Sequence, residues 1–400
     1  MSKAFGGLPK GIKVAFRRVT LFRFLGYKIR ADASWFFIAV LISWTMSSKI
    51  YPYALLGQSS STYQWMGVLT VAGILFSIIM HEVAHAIIAE YYQMRITSIT
   101  LFIFGGVAEM EGELSHPKGE FMMAIAGPAM SALVGLFFWA AANLDMQYIG
   151  SGPLSVVLKT LGTLNLEIAA FNIVPAFPLD GGRALRAVIW HTKNNLVTAT
   201  RIASAGGAVF AYLLLGYSCY NFVVLNDMVA GIWWGILGFL VHASGTSAVQ
   251  QMETRALLGV EPVTRFMHNN VMVVSPDLSV SDLVENYINR HYQRVFPVVD
   301  NGLLVGVVSL SSVLSIDRGK WNWLHVASVM EPLSATIVIA PEASAADALE
   351  IMQRHGREML LVTEKGRFSG VITFRDIASF LTISIKIDHD RPVKKGRIAH

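Results

Sequence analysis

Residues 76–90 read F-S-I-I-M-H-E-V-A-H-A-I-I-A-E. They lie in an apolar run, residues 65–92, long enough to cross about 30 Å of hydrocarbon at about 1.5 Å per residue. Three ionisable side chains within five residues of a spanning helix are costly unless they bind something together. His81 and His85 stand four apart, so a helix carries both on one face. Neutral imidazoles one turn apart suit a single tetrahedral zinc ion, and Glu82 beside them is placed to move a proton at a water in the same site. An interhelical hydrogen-bond cluster is the structural alternative, but it does not explain the metal spacing.

Working outward, five more segments are long and apolar enough to span: 33–49, 121–143, 154–174, 203–224 and 228–245. The 400-residue chain is 54% hydrophobic and only 15% charged, and its mean hydropathy is +0.50, which together exclude an ordinary soluble protein. Six spans put both termini on one side. Lys3, Lys10, Lys13, Arg17, Arg18, Arg23, Lys28 and Arg30 precede the first span, and Arg183, Arg186, Lys193 and Arg201 follow the fourth. The turns at 144–153 and 225–227 hold no Lys or Arg, so the positive-inside rule predicts a multi-pass protein of the cell's inner (plasma) membrane with both termini cytoplasmic. The net charge of +5 is explained by these flanking residues, and nucleic acid is not an expected partner. Residues 1–30 read as a basic cytoplasmic segment without the early apolar core of a signal peptide. Cys219 stands alone in an apolar run, which excludes an intrachain disulfide and a Cys-rich metal site. In the fourth span, Lys159, Asn165, Glu167 and Asn172 are expected to face the bundle interior or a wet cavity.

A catalytic zinc needs a third protein ligand and an open position. The best candidate is Asp180 in F-N-I-V-P-A-F-P-L-D-G-G-R, residues 171–183. Pro175 and Pro178 break the helix there, and Gly181 with Gly182 is expected to turn the backbone sharply and present the carboxylate at membrane depth. Topology brings the second and fourth spans down to the same inner half of the membrane.

With H-E-V-A-H at 81–85, N-I-V-P-A-F-P-L-D-G-G at 172–182 and A-G-P-A-M-S at 126–131, residues 30–245 resemble the site-2 protease family of intramembrane zinc metalloproteases (peptidase family M50). The resemblance implies that His81, His85 and Asp180 bind one Zn2+, that Glu82 is the catalytic acid/base, and that Gly127 and Ser131 form a small-residue motif for close helix contact. It also suggests Asn172 as a hydrogen-bond donor to the developing oxyanion, against an equally weighted reading as a structural amide. Substrates implied are single-span membrane proteins such as membrane-tethered transcription factors, anti-sigma factors or signal-peptide remnants.

Hydrolysis within a bilayer faces a backbone problem, because a helical substrate hides its carbonyls and an opened strand needs new partners. Residues 96–110, β-branched and aromatic around Gly105-Gly106, predict a membrane-associated β-hairpin able to pair with an extended substrate; a re-entrant loop is the alternative.

Residues 261–385 repeat at an offset of 63 or 64: V-T-R-F-M-H at 263–268 returns as V-A-S-V-M-E at 326–331, and G-V-V-S at 306–309 as G-V-I-T at 370–373. Each copy reads as strand, helix (279–290 or 344–355), then two strands joined by an Asp300-Asn301-Gly302 or Glu364-Lys365-Gly366 turn. This resembles a tandem pair of CBS domains, 261–317 and 324–385, modules that sense adenine nucleotides such as ATP or pair into homodimers. The second copy keeps Gly370, Thr373 and Asp376, a hydroxyl for phosphate and a carboxylate for ribose. The first keeps Ser309 but has Ser312 where an Asp is expected. Residues 386–400 read as a polar, flexible tail.

The expected fold is thus a polytopic α-helical membrane domain, residues 31–250, followed by an α/β tandem CBS domain. The expected function is intramembrane peptide-bond hydrolysis modulated by nucleotide. The alternative, a CBS-regulated transporter or channel, accounts for intramembrane carboxylates but not for two His flanking one of them at metal spacing.

Overall fold

The computed structural model describes residues 19–389 apart from 103, 104, 112–115, 149, 151, 292, 335 and 336. The chain divides into two compact units, Met1–Gln250 and Gln251–His400. Most of the basic N-terminal segment, residues 1–18, and the tail from 390 onward lie outside the described residues.

In the first unit, six helices among the described residues are long and apolar enough to cross a membrane. The first span is α1 (Ala33–Thr45) continued through a π-helical stretch into α2 (Tyr51–Ala54). The others are α3 (Ser60–Tyr91), α4 (Pro117–Tyr148), α5 (Pro153–Asn172), α7 (Leu196–Val223) and α8 (Met228–Gly259). Asp32 caps α1 through Ser34 N–H at 3.0 Å and Ser59 caps α3 through Thr62 N–H at 3.2 Å, which settles donors that the first turn leaves unpaired. Phe37, Val40, Leu133 and Phe239 point outward and are exposed. Apolar faces of that extent need hydrocarbon as their solvent, and the chain is a multi-pass membrane protein. In α5, Asn165 is buried and donates to Ser77 Oγ at 2.9 Å, as expected, but Lys159 and Glu167 are exposed. Sequence depth alone does not fix the helix face, and their spacing puts them on the outer side of α5.

The hairpin predicted at 96–110 is half of a larger sheet. Strands β1 (Val19–Phe24), β2 (Tyr27–Ala31), β3 (Arg95–Phe102) and β4 (Gly105–Glu111) lie in that order, β2 and β3 parallel and the other pairs antiparallel. The end of the segment read as basic and cytoplasmic is therefore strand, and Tyr27, Ile29 and Ala31 alternate inward as a half-buried strand requires. Phe102 pairs with Gly105, so Gly105 and Gly106 themselves belong to β4. Tyr27, Ile29, Ile99 and Leu101 pack with Trp35 of α1 and with Ile79, Val83 and Ala86 of α3. The sheet is fixed to the helix that carries His81 and His85.

After α5 the chain turns through 173–179 and restarts as α6 (Asp180–Lys193). Asp180 is thus the first residue of a helix. Gly181 and Gly182 do not turn the backbone: they are helical, and a Cβ on either would lie 2.1 Å from backbone of Ile173 or Phe177. Their missing side chains let α6 close onto the turn before it.

The second unit contains both predicted repeats. The first copy has α9 (Val280–Asp282), a π-helical stretch and α10 (Asn289–His291), then β5 (Val295–Asp300), β6 (Leu303–Ser309) and α11 (Leu310–Leu314). The second has β7 (Glu331–Pro332), β8 (Val338–Ile339), α12 (Ala345–His355), β9 (Met359–Glu364), β10 (Arg367–Thr373) and α13 (Phe374–His389). The sheet order is β5-β6-β10-β9-β8, with β7 on β6. Asn301-Gly302 and Lys365-Gly366 all have positive φ, the conformation of tight two-residue hairpins. Two buried clusters, one around Phe296 and Val308 and one around Leu360 and Ile372, each draw on both copies: Val326 enters the first, and Val263 and Phe266 enter the second.

Candidate metal centre

The buried half of α3 presents His81 and His85, and the start of α6 presents Asp180. All three are buried, and among the described residues they form the one group of His, Cys, Asp or Glu arranged to hold a metal ion. His81 Nε2 lies 3.2 Å from Asp180 Oδ2, His85 Nε2 lies 3.3 Å from the same oxygen, and the two Nε2 atoms are 3.1 Å apart. A tetrahedral zinc ion with ligand bonds of roughly 2.0–2.1 Å needs ligand atoms about 3.3–3.4 Å apart. The triangle has nearly that edge on all three sides, and two imidazoles with one carboxylate are a zinc donor set. The residues present fit the ion. Asp180 also sits at a helix N-terminus, where the dipole favours its negative charge.

Helix α4 forms the wall behind the imidazoles. Ser131 Oγ lies 2.8 Å from His81 Nδ1, and the Met123 carbonyl lies 2.7 Å from His85 Nδ1. Between them a Cβ on Gly127 would lie 2.2 Å from His85 Nε2 and 2.6 Å from His81 Nε2. Gly127 permits the close helix contact expected of it by letting α4 pack against the two imidazole rings of α3, and Ser131 in addition hydrogen-bonds one of them. The spacing of 123, 127 and 131 marks one face of a helix, but a main-chain acceptor such as Met123 leaves no trace in sequence.

Glu82 is half-buried. On its far side a Cβ on Gly106 would meet Glu82 Cγ at 2.5 Å and Oε1 at 3.0 Å, so β4, which pairs only with β3 among the described residues, passes directly beside the carboxylate. Asn172 ends α5, half-buried, and is not within hydrogen-bonding distance of His81, His85 or Asp180.

Two further cations from α6 approach the centre. Arg183 Nη1 is 3.9 Å from Asp180 Oδ1. Arg186 donates to the buried Glu120 of α4 through Nε at 2.7 Å and through Nη2, and its guanidinium lies 4.9 Å from the Phe177 ring centroid. This pair ties α6, and with it Asp180, to the helix that backs the imidazoles. An isolated charge at that depth is strongly disfavoured, so each partner requires the other.

In the second unit, Thr373 and Asp376 meet at the start of α13. Asp376 Oδ2 accepts from Thr373 N at 3.0 Å and from Thr373 Oγ1 at 2.6 Å, while His268 Nε2 lies 2.9 Å from Oδ1. Burial opposes ionisation of Asp376, but the Thr373 hydroxyl and His268 outweigh it and hold its carboxyl below the ordinary value. The pair therefore caps a helix, whatever else it binds. In the first copy, Ser309 Oγ accepts from Ser312 N at 3.1 Å and lies 2.8 Å from Ser312 Oγ, a neutral version of the same cap.

Comparison with known proteins agrees with both units. Residues 69–150 and 144–215 match peptidase family M50, and residues 263–319 and 326–383 match the CBS domain. A protein of Mycobacterium tuberculosis named as a zinc metalloprotease, Rip3, is 28% identical over 370 residues, 91% of this chain and 93% of the relative. A protein of Synechocystis sp. named as a zinc metalloprotease is 26% identical over 90% of this chain and 94% of its own length. A zinc metalloprotease of Methanocaldococcus jannaschii is 27% identical over 77% and 83%.

Proposed function

We propose, from the premise that this chain is a zinc metalloprotease of peptidase family M50 joined to a tandem CBS pair, that it cuts single-span membrane proteins within or beside their spans. The observation that carries the reading is the near-regular triangle of His81, His85 and Asp180 buried within membrane-spanning helices, with Glu82 beside it. Zinc held by these three residues would lower the pKa of water and polarise the scissile carbonyl. Glu82 accepts the proton of the attacking water and returns it to the leaving amine. Asn172, at the end of α5, is assigned as a donor to the developing oxyanion. The edge of β4 that is unpaired among the described residues supplies main-chain partners for an unwound substrate and delivers its carbonyl next to Glu82, meeting the need that the bilayer leaves unmet.

We assign residues 31–250 to the protease and 261–317 and 324–385 to the CBS pair, with both termini in the cytoplasm of a cell whose inner membrane holds the six spans. Membrane-tethered transcription factors, anti-sigma factors and signal-peptide remnants are the substrate classes proposed, from the family resemblance. Adenine nucleotide is assigned to the second CBS copy, where the Thr373 hydroxyl and Asp376 carboxylate supply phosphate and ribose contacts; calorimetry with ATP, ADP and AMP tests it, and no heat from any of them defeats it. The protease reading is tested by comparing membrane proteomes of cells carrying wild type and Glu82→Gln. Single-span proteins should accumulate uncut in the variant; identical proteomes would defeat the reading.

A further inference from the structure

The two imidazoles are anchored by acceptors of different kinds. His85 Nδ1 faces the Met123 main-chain carbonyl at 2.7 Å. A carbonyl only accepts, so His85 carries a proton on Nδ1, and in the neutral ring that a metal ligand requires the Nε2 lone pair is directed at the ligand triangle.

His81 is held otherwise. Its Nδ1 faces Ser131 Oγ at 2.8 Å, and a hydroxyl both donates and accepts. Its Nε2 faces Asp180 Oδ2 at 3.2 Å and His85 Nε2 at 3.1 Å. Both of those atoms are acceptors, since the His85 proton is on Nδ1. Without an ion, and with both imidazoles neutral, His81 is satisfied with its proton on Nε2, donated to Asp180, and Ser131 then donates to Nδ1. With an ion, Nε2 must offer its lone pair, the proton belongs on Nδ1, and Ser131 must accept it. Both states need a partner at Nδ1, because an unpaired polar group at this depth in a membrane is strongly disfavoured.

We propose that Ser131 is a positioning residue that lets His81 exchange tautomers when zinc enters, its rotatable hydroxyl serving as donor in the empty site and acceptor in the loaded one. A residue that only packs helices would need size at this position; this role needs the hydroxyl. The proposal rests on zinc binding by the triangle, and the test separates the two.

Thr and Val have nearly the same shape and differ in that hydroxyl. The full chain is purified in detergent as wild type, Ser131→Thr and Ser131→Val. Zinc affinity is measured by chelator competition and thermal unfolding by the metal-free protein. Ser131→Thr should bind zinc within about threefold of wild type and Ser131→Val about 10–100-fold more weakly, the range for lost partners of metal ligands, and metal-free Ser131→Val should also unfold below metal-free Ser131→Thr, because the empty site needs the hydroxyl as a donor. Equal zinc affinity in the two variants, high or low, overturns the proposal. Absence of zinc binding in wild type as well overturns the metal assignment on which it rests.

Discussion

Gly127→Ala tests whether α4 is shaped around the imidazoles. The added Cβ would stand 2.2 Å from His85 Nε2, 2.5 Å from its Cε1 and 2.6 Å from His81 Nε2. An ordinary contact is about 3.5 Å, so the His85 ring must retreat by roughly 1.3 Å, whereas a metal site tolerates only about 0.2 Å. The ring cannot retreat freely, because Met123 holds its other nitrogen. Overpacking of this kind costs about 1–3 kcal/mol, and because the empty site can relieve it by letting the ring move while the loaded site cannot, zinc should weaken roughly 5–150-fold. Chelator competition on the purified chain in detergent measures the loss. A control is Gly216→Ala, where a Cβ meets nothing within 4 Å and zinc affinity should be unchanged. Wild-type zinc affinity in Gly127→Ala, with the fold intact, would refute the argument.

Other substitutions separate the parts of the site. Glu82→Gln should keep stoichiometric zinc and lose about 10²–10⁴-fold in cleavage of a single-span reporter in proteoliposomes; comparable activity would remove Glu82 from proton transfer. Asp180→Ala should lose both zinc and cleavage, read by metal analysis and the same reporter. Arg186→Met strands the buried Glu120 and should destabilise the fold by about 3–5 kcal/mol, read as a large fall in thermal unfolding temperature; an unaltered temperature would show that α6 is held otherwise. In the second unit, Asp376 has a depressed pKa, so its capping contribution is present above the unfolded carboxyl value and fades as pH falls through the folded one. Hydrogen exchange at the start of α13 should therefore rise in acid in wild type but not in Asp376→Asn.

What the sequence made legible follows from periodicity. Four-residue spacing put His81 and His85 on one helix face, run length marked the spans, and the Asp300-Asn301-Gly302 and Glu364-Lys365-Gly366 turns marked hairpins whose positive φ angles the structure contains. Less legible was anything set by tertiary approach. Strands β1 and β2 were hidden because their basic residues read as a membrane flank. Gly181 and Gly182 read as a turn, although their role is close contact with 173–177. Helix α6 went unnoticed between prolines and basic residues, and the partners of the imidazoles depend on an α4 face whose orientation only packing determines.

Zinc-edge X-ray absorption on the purified full chain tests the central claim most directly. One zinc per chain is expected, with two imidazole nitrogens at about 2.0–2.1 Å, carboxylate and solvent oxygens at about 2.0–2.2 Å and no sulfur; the nitrogen shell should shrink in His81→Ala and in His85→Ala. A chain that binds no zinc, or whose zinc keeps the same shell when those residues are replaced, would contradict the account.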